Sequence, residues 1–172
     1  DIVEIGFRFF SSNSYGKFGY TKERLIKSFE LNKDQSLAVM INSADLVNEK
    51  NYKKKIKNLF VEKSKSKISL VRLATHLKDI KKMIPQIKYL KHLGYKIALN
   101  LMQIDKIKKF ELISVLKLLT RSNSVDVFYF ADSFGNLNTK KVKDICLIIK
   151  KNWNREFGFH AHDNCGLALK NS

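Results

Sequence analysis

The feature that most constrains this chain is a repeat in its local pattern. Short apolar, β-branched runs begin at Ile2, Leu37, Ile68, Lys96, Val125 and Glu156, at intervals of 35, 31, 28, 29 and 31 residues. They cover Ile2–Arg8, Leu37–Asn42, Ile68–Ala74, Lys96–Met102, Val125–Asp132 and Glu156–His162. Amphipathic stretches lie between them, at Thr21–Leu31, Leu46–Phe60, Leu77–Leu93, Ile107–Leu119 and Val142–Ile149. The third repeats apolar residues at Ile80, Met83, Ile87 and Leu90, close to the helical period, and Gly94 marks its stop. Pro85 inside it predicts a kink or a break. Thr139 stands where the last of these helices needs an N-cap.

A β-α order with a period near 30 requires parallel strands joined by crossover helices. An open doubly wound sheet and a closed barrel both satisfy it. The first strand runs into Gly6-Phe7-Arg8-Phe9-Phe10 rather than a G-x-G-x-x-G phosphate loop, and the regular period favours the barrel. The expected fold class is therefore α/β, a (β/α)8 TIM barrel. A full barrel takes about 250 residues, so residues 1–172 are read as a single partial barrel domain of about six βα units. The opening residues already read as a strand, which predicts a piece cut from something longer.

Charge narrows the function less than its size suggests. Lys and Arg total 33 against 16 Asp and Glu, a net charge of +17, which raises nucleic acid as a partner. Only Arg8, Arg24, Arg72, Arg121 and Arg155 are arginines, whereas nucleic-acid sites rely on Arg forks. The densest run, Lys53-Lys54-Lys55-Ile56-Lys57, reads as the solvated face of a helix whose apolar side carries Ile56, Leu59 and Phe60. The expectation is no nucleic acid. No stretch approaches the roughly 18 apolar residues of a membrane-spanning helix, so no membrane partner is expected either. Two cysteines, Cys146 and Cys165, make no disulfide framework and point to a cytoplasmic setting.

In a barrel, chemistry gathers at the C-terminal ends of the strands. Here those ends carry Arg8, Asn42, Thr75, His76, Asn100, Asp132, His160 and His162. Alternation along a strand puts His160 and His162 on one face with Gly158, and Phe157 and Phe159 on the other. Two imidazoles on one face can both reach a divalent cation, and an oxygen donor must join them. Asp132 is a candidate for that role, or else caps the turn Asp132-Ser133-Phe134-Gly135. The same alternation groups Glu4, Gly6 and Arg8, so Glu4 and Arg8 either pair with each other or meet substrate. Arg72, in mid-strand, requires a partner.

The segment His160-Ala161-His162-Asp163-Asn164-Cys165-Gly166-Leu167-Ala168-Leu169-Lys170-Asn171 resembles the H-x-H-[DN]-x-G-x-A-x-x-N signature of the DRE-TIM metallolyases. Phe130-Ala131-Asp132-Ser133-Phe134-Gly135 resembles their strand-six motif. Asp1-Ile2-Val3-Glu4-Ile5-Gly6-Phe7-Arg8-Phe9 is similar to strand two of the 4-hydroxy-2-oxovalerate aldolase-like branch, and Val71–Ala74 and Leu99–Met102 fit strands four and five. The resemblance implies a divalent metal, Mn²⁺ or Mg²⁺, held by His160 and His162, with Asp132 and Glu4 near metal and substrate. Arg8 is grouped with them as catalytic, and Asn42, Asn100 and His76 as substrate-binding. The family's remaining ligand, an Asp in an Arg-Asp-Gly segment of strand one, and its general base lie outside this sequence.

The implied activity is a metal-dependent aldolase that cleaves a 4-hydroxy-2-oxo acid into pyruvate and an aldehyde through a metal-stabilised enolate. Its partner is a small 2-oxo acid, with room for a homodimer and for an aldehyde dehydrogenase that takes the product. Three alternatives stand beside it: a Claisen-type enzyme joining an acyl-CoA to a 2-oxo acid, a basic nucleic-acid-binding module, and an inactive remnant.

Overall fold

A computed structural model describes residues 1–10, 15–32 and 34–172. Six strands form one sheet in chain order: β1 (Ile2–Phe7), β2 (Ser36–Asn42), β3 (Ile68–Thr75), β4 (Lys96–Leu101), β5 (Val127–Asp132) and β6 (Phe157–Ala161). Every neighbouring pair is parallel. Sequential parallel pairing requires a crossover at each step, and helices supply them: α1 (Lys17–Tyr20), α2 (Glu23–Lys27), α3 (Tyr52–Leu59), α4 (Ile80–His92), α5 (Lys109–Ser122) and α6 (Thr139–Asn152), with α7 (Ala168–Asn171) after the last strand. The result is a curled half-barrel.

The strands alternate between two unlike faces. The outer face joins Val39, Ile41, Val71, Leu73, Ile97, Leu99, Phe128 and Phe130 to the buried stripes of the helices, including Ile56, Met83, Ile87, Leu116 and Ile149. The inner face is narrower, built from Ala38, Leu70 and Ala98 with Val127 and Tyr129 beside them. Small residues suit the inner side of a tightly curled sheet. At Gly158 a Cβ would stand 2.4 Å from the Tyr129 ring, so glycine is what lets that ring lie across β6.

The strands fall close to their sequence-derived positions, while the early helices do not. The stretch Thr21–Leu31 forms a helix only over Glu23–Lys27, and Leu46–Phe60 only over Tyr52–Leu59. A short 3₁₀ turn, Ser43–Asp45, precedes the second, with the Asn42 side chain accepting the Ala44 N–H. Residues Lys53, Lys54 and Lys57 face solvent on α3 while Ile56 is buried. The helix α4 runs unbroken through Pro85. Pro85 and Lys81, whose carbonyl loses its helical partner, are both on the exposed side, open to solvent. The N-cap of α6 is Asn138, whose side chain accepts the Lys141 N–H at 2.9 Å, rather than Thr139. Thr139 instead donates to Asn171 Oδ1 at 2.9 Å. No described helix is long and apolar enough to cross a membrane.

Candidate active site

The inner face carries its polar groups in register. Arg72 aligns with Met40 on one side and Ala98 on the other. One step nearer the C-terminal rim, Asn42, Ala74, Asn100, Tyr129 and Gly158 form a continuous row. His160 pairs with Ala131 one step further along β6. Phe159 stacks on Phe130 at 4.8 Å on the outer side, which leaves His160 facing inward. The His160 and His162 rings stand 5.1 Å apart, edge to face. The alternation read from the sequence therefore brings the two imidazoles together at the rim.

Curling of the sheet adds a contact that no local pattern specifies. Glu4 on β1 accepts two hydrogen bonds from Arg72 on β3, from Nε at 2.6 Å and Nη2 at 2.5 Å. Arg72 Nη1 lies 3.2 Å from His160 Nδ1 on β6. The partner that Arg72 requires is thus Glu4, and the guanidinium bridges Glu4 to His160. Burial, then the Arg72 charge, then His162 hold the His160 pKa below its ordinary value, and Glu4 opposes them. The shift favours the uncharged imidazole.

Arg8 does not belong to this group. The β1–β2 register shifts between Glu4 and Phe7, so one residue is inserted and the alternation reverses. Gly6 sits in the shift with φ 133°, and a Cβ there would be 2.3 Å from the Phe18 carbonyl oxygen. Arg8 consequently points outward and is fully buried. It donates to the Thr21 carbonyl at 3.0 Å, the Leu59 carbonyl at 2.6 Å and Glu23 at 2.6 Å. This corrects both its expected pairing with Glu4 and its placement at the catalytic face.

Asp132 lies at the end of β5 and is 1% exposed. Its oxygens accept the N–H groups of Asn136 at 3.2 Å and Leu137 at 2.9 Å. The carboxylate caps the following turn, the second of its two sequence readings. Asn171 closes the same loop from the other side by donating to the Leu137 carbonyl at 2.6 Å. Ser133 accepts the Gln103 N–H at 2.9 Å and ties the β4 and β5 loops together. Sequence reasoning assigned no role to Ser133 or Gln103; their contact spans thirty residues and has no local signal.

The remaining candidates divide. Asn100 is 4% exposed, and its Oδ1 has no hydrogen-bond partner among the described residues. Asn42 stands in the same row, with Oδ1 engaged by Ala44. His76 lines a neighbouring groove of about 330 Å³ with Leu77, Lys78, Met102, Gln103, Lys106 and Ile107. Cys165 is exposed, and Cys146 is half-buried with its thiol pKa raised by burial.

For a divalent cation, His160 and His162 would be the candidate nitrogen donors here, their rings 5.1 Å apart. Among the described residues no cluster of three His, Cys, Asp or Glu side chains is placed to hold an ion. Asp132 is spent on its turn, and Glu4 is spent on Arg72. The pair fits as part of a ligand set, needing oxygen donors from elsewhere.

The family model described as HMGL-like matches residues 2–172. The chain belongs to the HMGL-like family. A 4-hydroxy-2-oxovalerate aldolase from Geobacillus genomosp. 3 is 34% identical over 105 residues, 61% of this chain and 31% of that protein. One from Bacillus thuringiensis (strain Al Hakam) is 29% identical over 103 residues, 60% of this chain and 30% of that protein. The N-terminal domain of a candidate aldolase from Bacteroides vulgatus superposes with a TM-score of 0.78 at 28% identity, covering 100% of this chain and 56% of that one. Hydroxymethylglutaryl-CoA lyase from Pseudomonas aeruginosa shares the fold, with a TM-score of 0.71 at 12% identity over 98% of this chain and 58% of that one. The matches thus span about 30% of the length of these curated relatives.

Proposed function

We propose that this chain carries part of the active site of a divalent-metal-dependent carbon–carbon lyase, an aldolase that cleaves a 4-hydroxy-2-oxo acid into pyruvate and an aldehyde. The observation that carries the reading is the pairing of the inward-facing His160 with His162, rings 5.1 Å apart, at the C-terminal rim of an HMGL-like half-barrel. The names of the curated relatives support the reaction class.

Bound at this pair, Mn²⁺ or Mg²⁺ would supply Lewis acidity toward the carboxylate and keto oxygens of a 2-oxo acid. The protein's own residues prepare the surroundings. The lowered pKa of His160 favours its uncharged form, the one that can act as a nitrogen ligand. Asn100 offers Oδ1 to a substrate hydroxyl, satisfying an acceptor the fold leaves open. Asn42 holds the Ser43–Asp45 turn through Oδ1 and has its amide N–H groups to offer a substrate oxygen. His76 lies beside the groove above β3 and β4, a place for the aldehyde half of the substrate.

The test is release of pyruvate and aldehyde from 4-hydroxy-2-oxovalerate by the intact protein, before and after metal is stripped with a chelator. Metal-dependent release that disappears in His160→Ala and His162→Ala supports the proposal. Release that survives both substitutions, or consumption of acetyl-CoA with a 2-oxo acid in its place, refutes it.

A further inference from the structure

Among the described residues, Arg72 touches both a carboxylate, that of Glu4, and an imidazole, that of His160, on the inner face. A guanidinium has only donors and stays protonated at any working pH. Its Nη1 contact at 3.2 Å therefore requires His160 Nδ1 to be the acceptor. A neutral imidazole has one lone pair and one N–H, so the proton lies on Nε2. The sole lone pair of His160 is then committed to Arg72. The carboxylate of Glu4 is committed too, with one oxygen on Nε and the other on Nη2. Glu4 is 30% exposed and Arg72 14%, so this clamp is partly shielded from water.

We infer that Arg72 serves as a built-in counter-cation between Glu4 and His160 and competes with a divalent ion for the His160 lone pair, so that ion uptake requires Arg72 to withdraw. The inference rests on the metal reading above. It makes Arg72 a positioning residue. With no ion present, the guanidinium fixes the His160 ring and neutralises Glu4. With Arg72 withdrawn, His160 recovers its lone pair, and Glu4 becomes an available oxygen donor on the same inner face. Reversing the tautomer without moving Arg72 gives no relief, because Nδ1–H would then face a guanidinium N–H.

Two readouts test this. Long-range proton–nitrogen NMR on the metal-free intact protein reports the His160 tautomer and needs no variant. The expected result is the Nε2–H form; an Nδ1–H form overturns the inference. Titration with Mn²⁺, following free ion by electron paramagnetic resonance, compares the wild type with Arg72→Gln, which keeps a donor for Glu4 but no charge. Neighbours of metal ligands typically change affinity by about 10–100-fold, and here the variant should bind Mn²⁺ tighter by at least the lower figure. Equal or weaker binding by Arg72→Gln, with binding lost in the His160→Ala, His162→Ala double variant, overturns the competition alone. Mn²⁺ binding that ignores the double variant overturns the metal reading and the competition together.

Discussion

Gly135 is packed so closely on the backbone of the histidine loop that a Cβ there would stand 2.7 Å from the His162 carbonyl oxygen and 2.7 Å from the Asn164 nitrogen. Its φ of +63° is one that other residues adopt only with strain. The turn after β5 is thus the backstop against which His162 is set. Gly135→Ala is expected to cost about 1–3 kcal/mol and to displace the loop. Thermal unfolding and the side-chain NMR shifts of His160 and His162 check it; an unchanged spectrum contradicts the backstop.

Removing Arg8 removes a structural pin. Arg8→Met strands two backbone carbonyls and the Glu23 carboxylate, of which Glu23 is 19% exposed. The expected loss is roughly 3 kcal/mol, the scale for breaking a buried pair by deleting one partner. Urea unfolding measures it. A variant as stable as the wild type would show that Arg8 does not hold β1 to α2 and α3.

Asp132→Ala should act through the β5 loop. Two N–H groups lose their acceptor, and the amide of Leu137, which is 1% exposed, is left buried. A cost of about 1–3 kcal/mol follows, with faster hydrogen exchange at the Leu137 amide. Exchange at the wild-type rate contradicts the capping role.

Tyr95 gives stability an alkaline limit. Burial holds its phenol pKa above the ordinary value of 10.0, and the hydroxyl donates to the Val61 carbonyl at 2.8 Å. A pKa raised on folding favours the neutral form in the folded state. Its contribution is complete below the unfolded value, about 10, and is lost as pH rises through the folded value. Stability of the wild type should therefore fall above that pH more steeply than that of Tyr95→Phe. Parallel pH–stability curves would contradict it.

The six strands were legible because their period and apolar alternation are local properties. The inward face of His160 was legible for the same reason, since β6 has no register shift, and His162 meets it just past the end of the strand. Arg8 was misplaced because one inserted residue near Gly6 reverses alternation, and Gly6 could have suggested it. The capping of α6 moved by one position because Asn138 and Thr139 are both good caps, and Asn171 engages the threonine. The Glu4–Arg72–His160 bridge was out of reach. Its members are 68 and 88 residues apart and meet only because the sheet curls.

On the proposed function, His160 and His162 support metal-dependent enolisation of a 2-oxo acid. Exchange of the pyruvate methyl protons in D₂O, followed by proton NMR on the intact protein with and without Mn²⁺, tests it most directly. Exchange should need the ion and vanish when His160 and His162 are both alanine. Exchange that continues at the same rate without the ion, or with both histidines replaced, would contradict it.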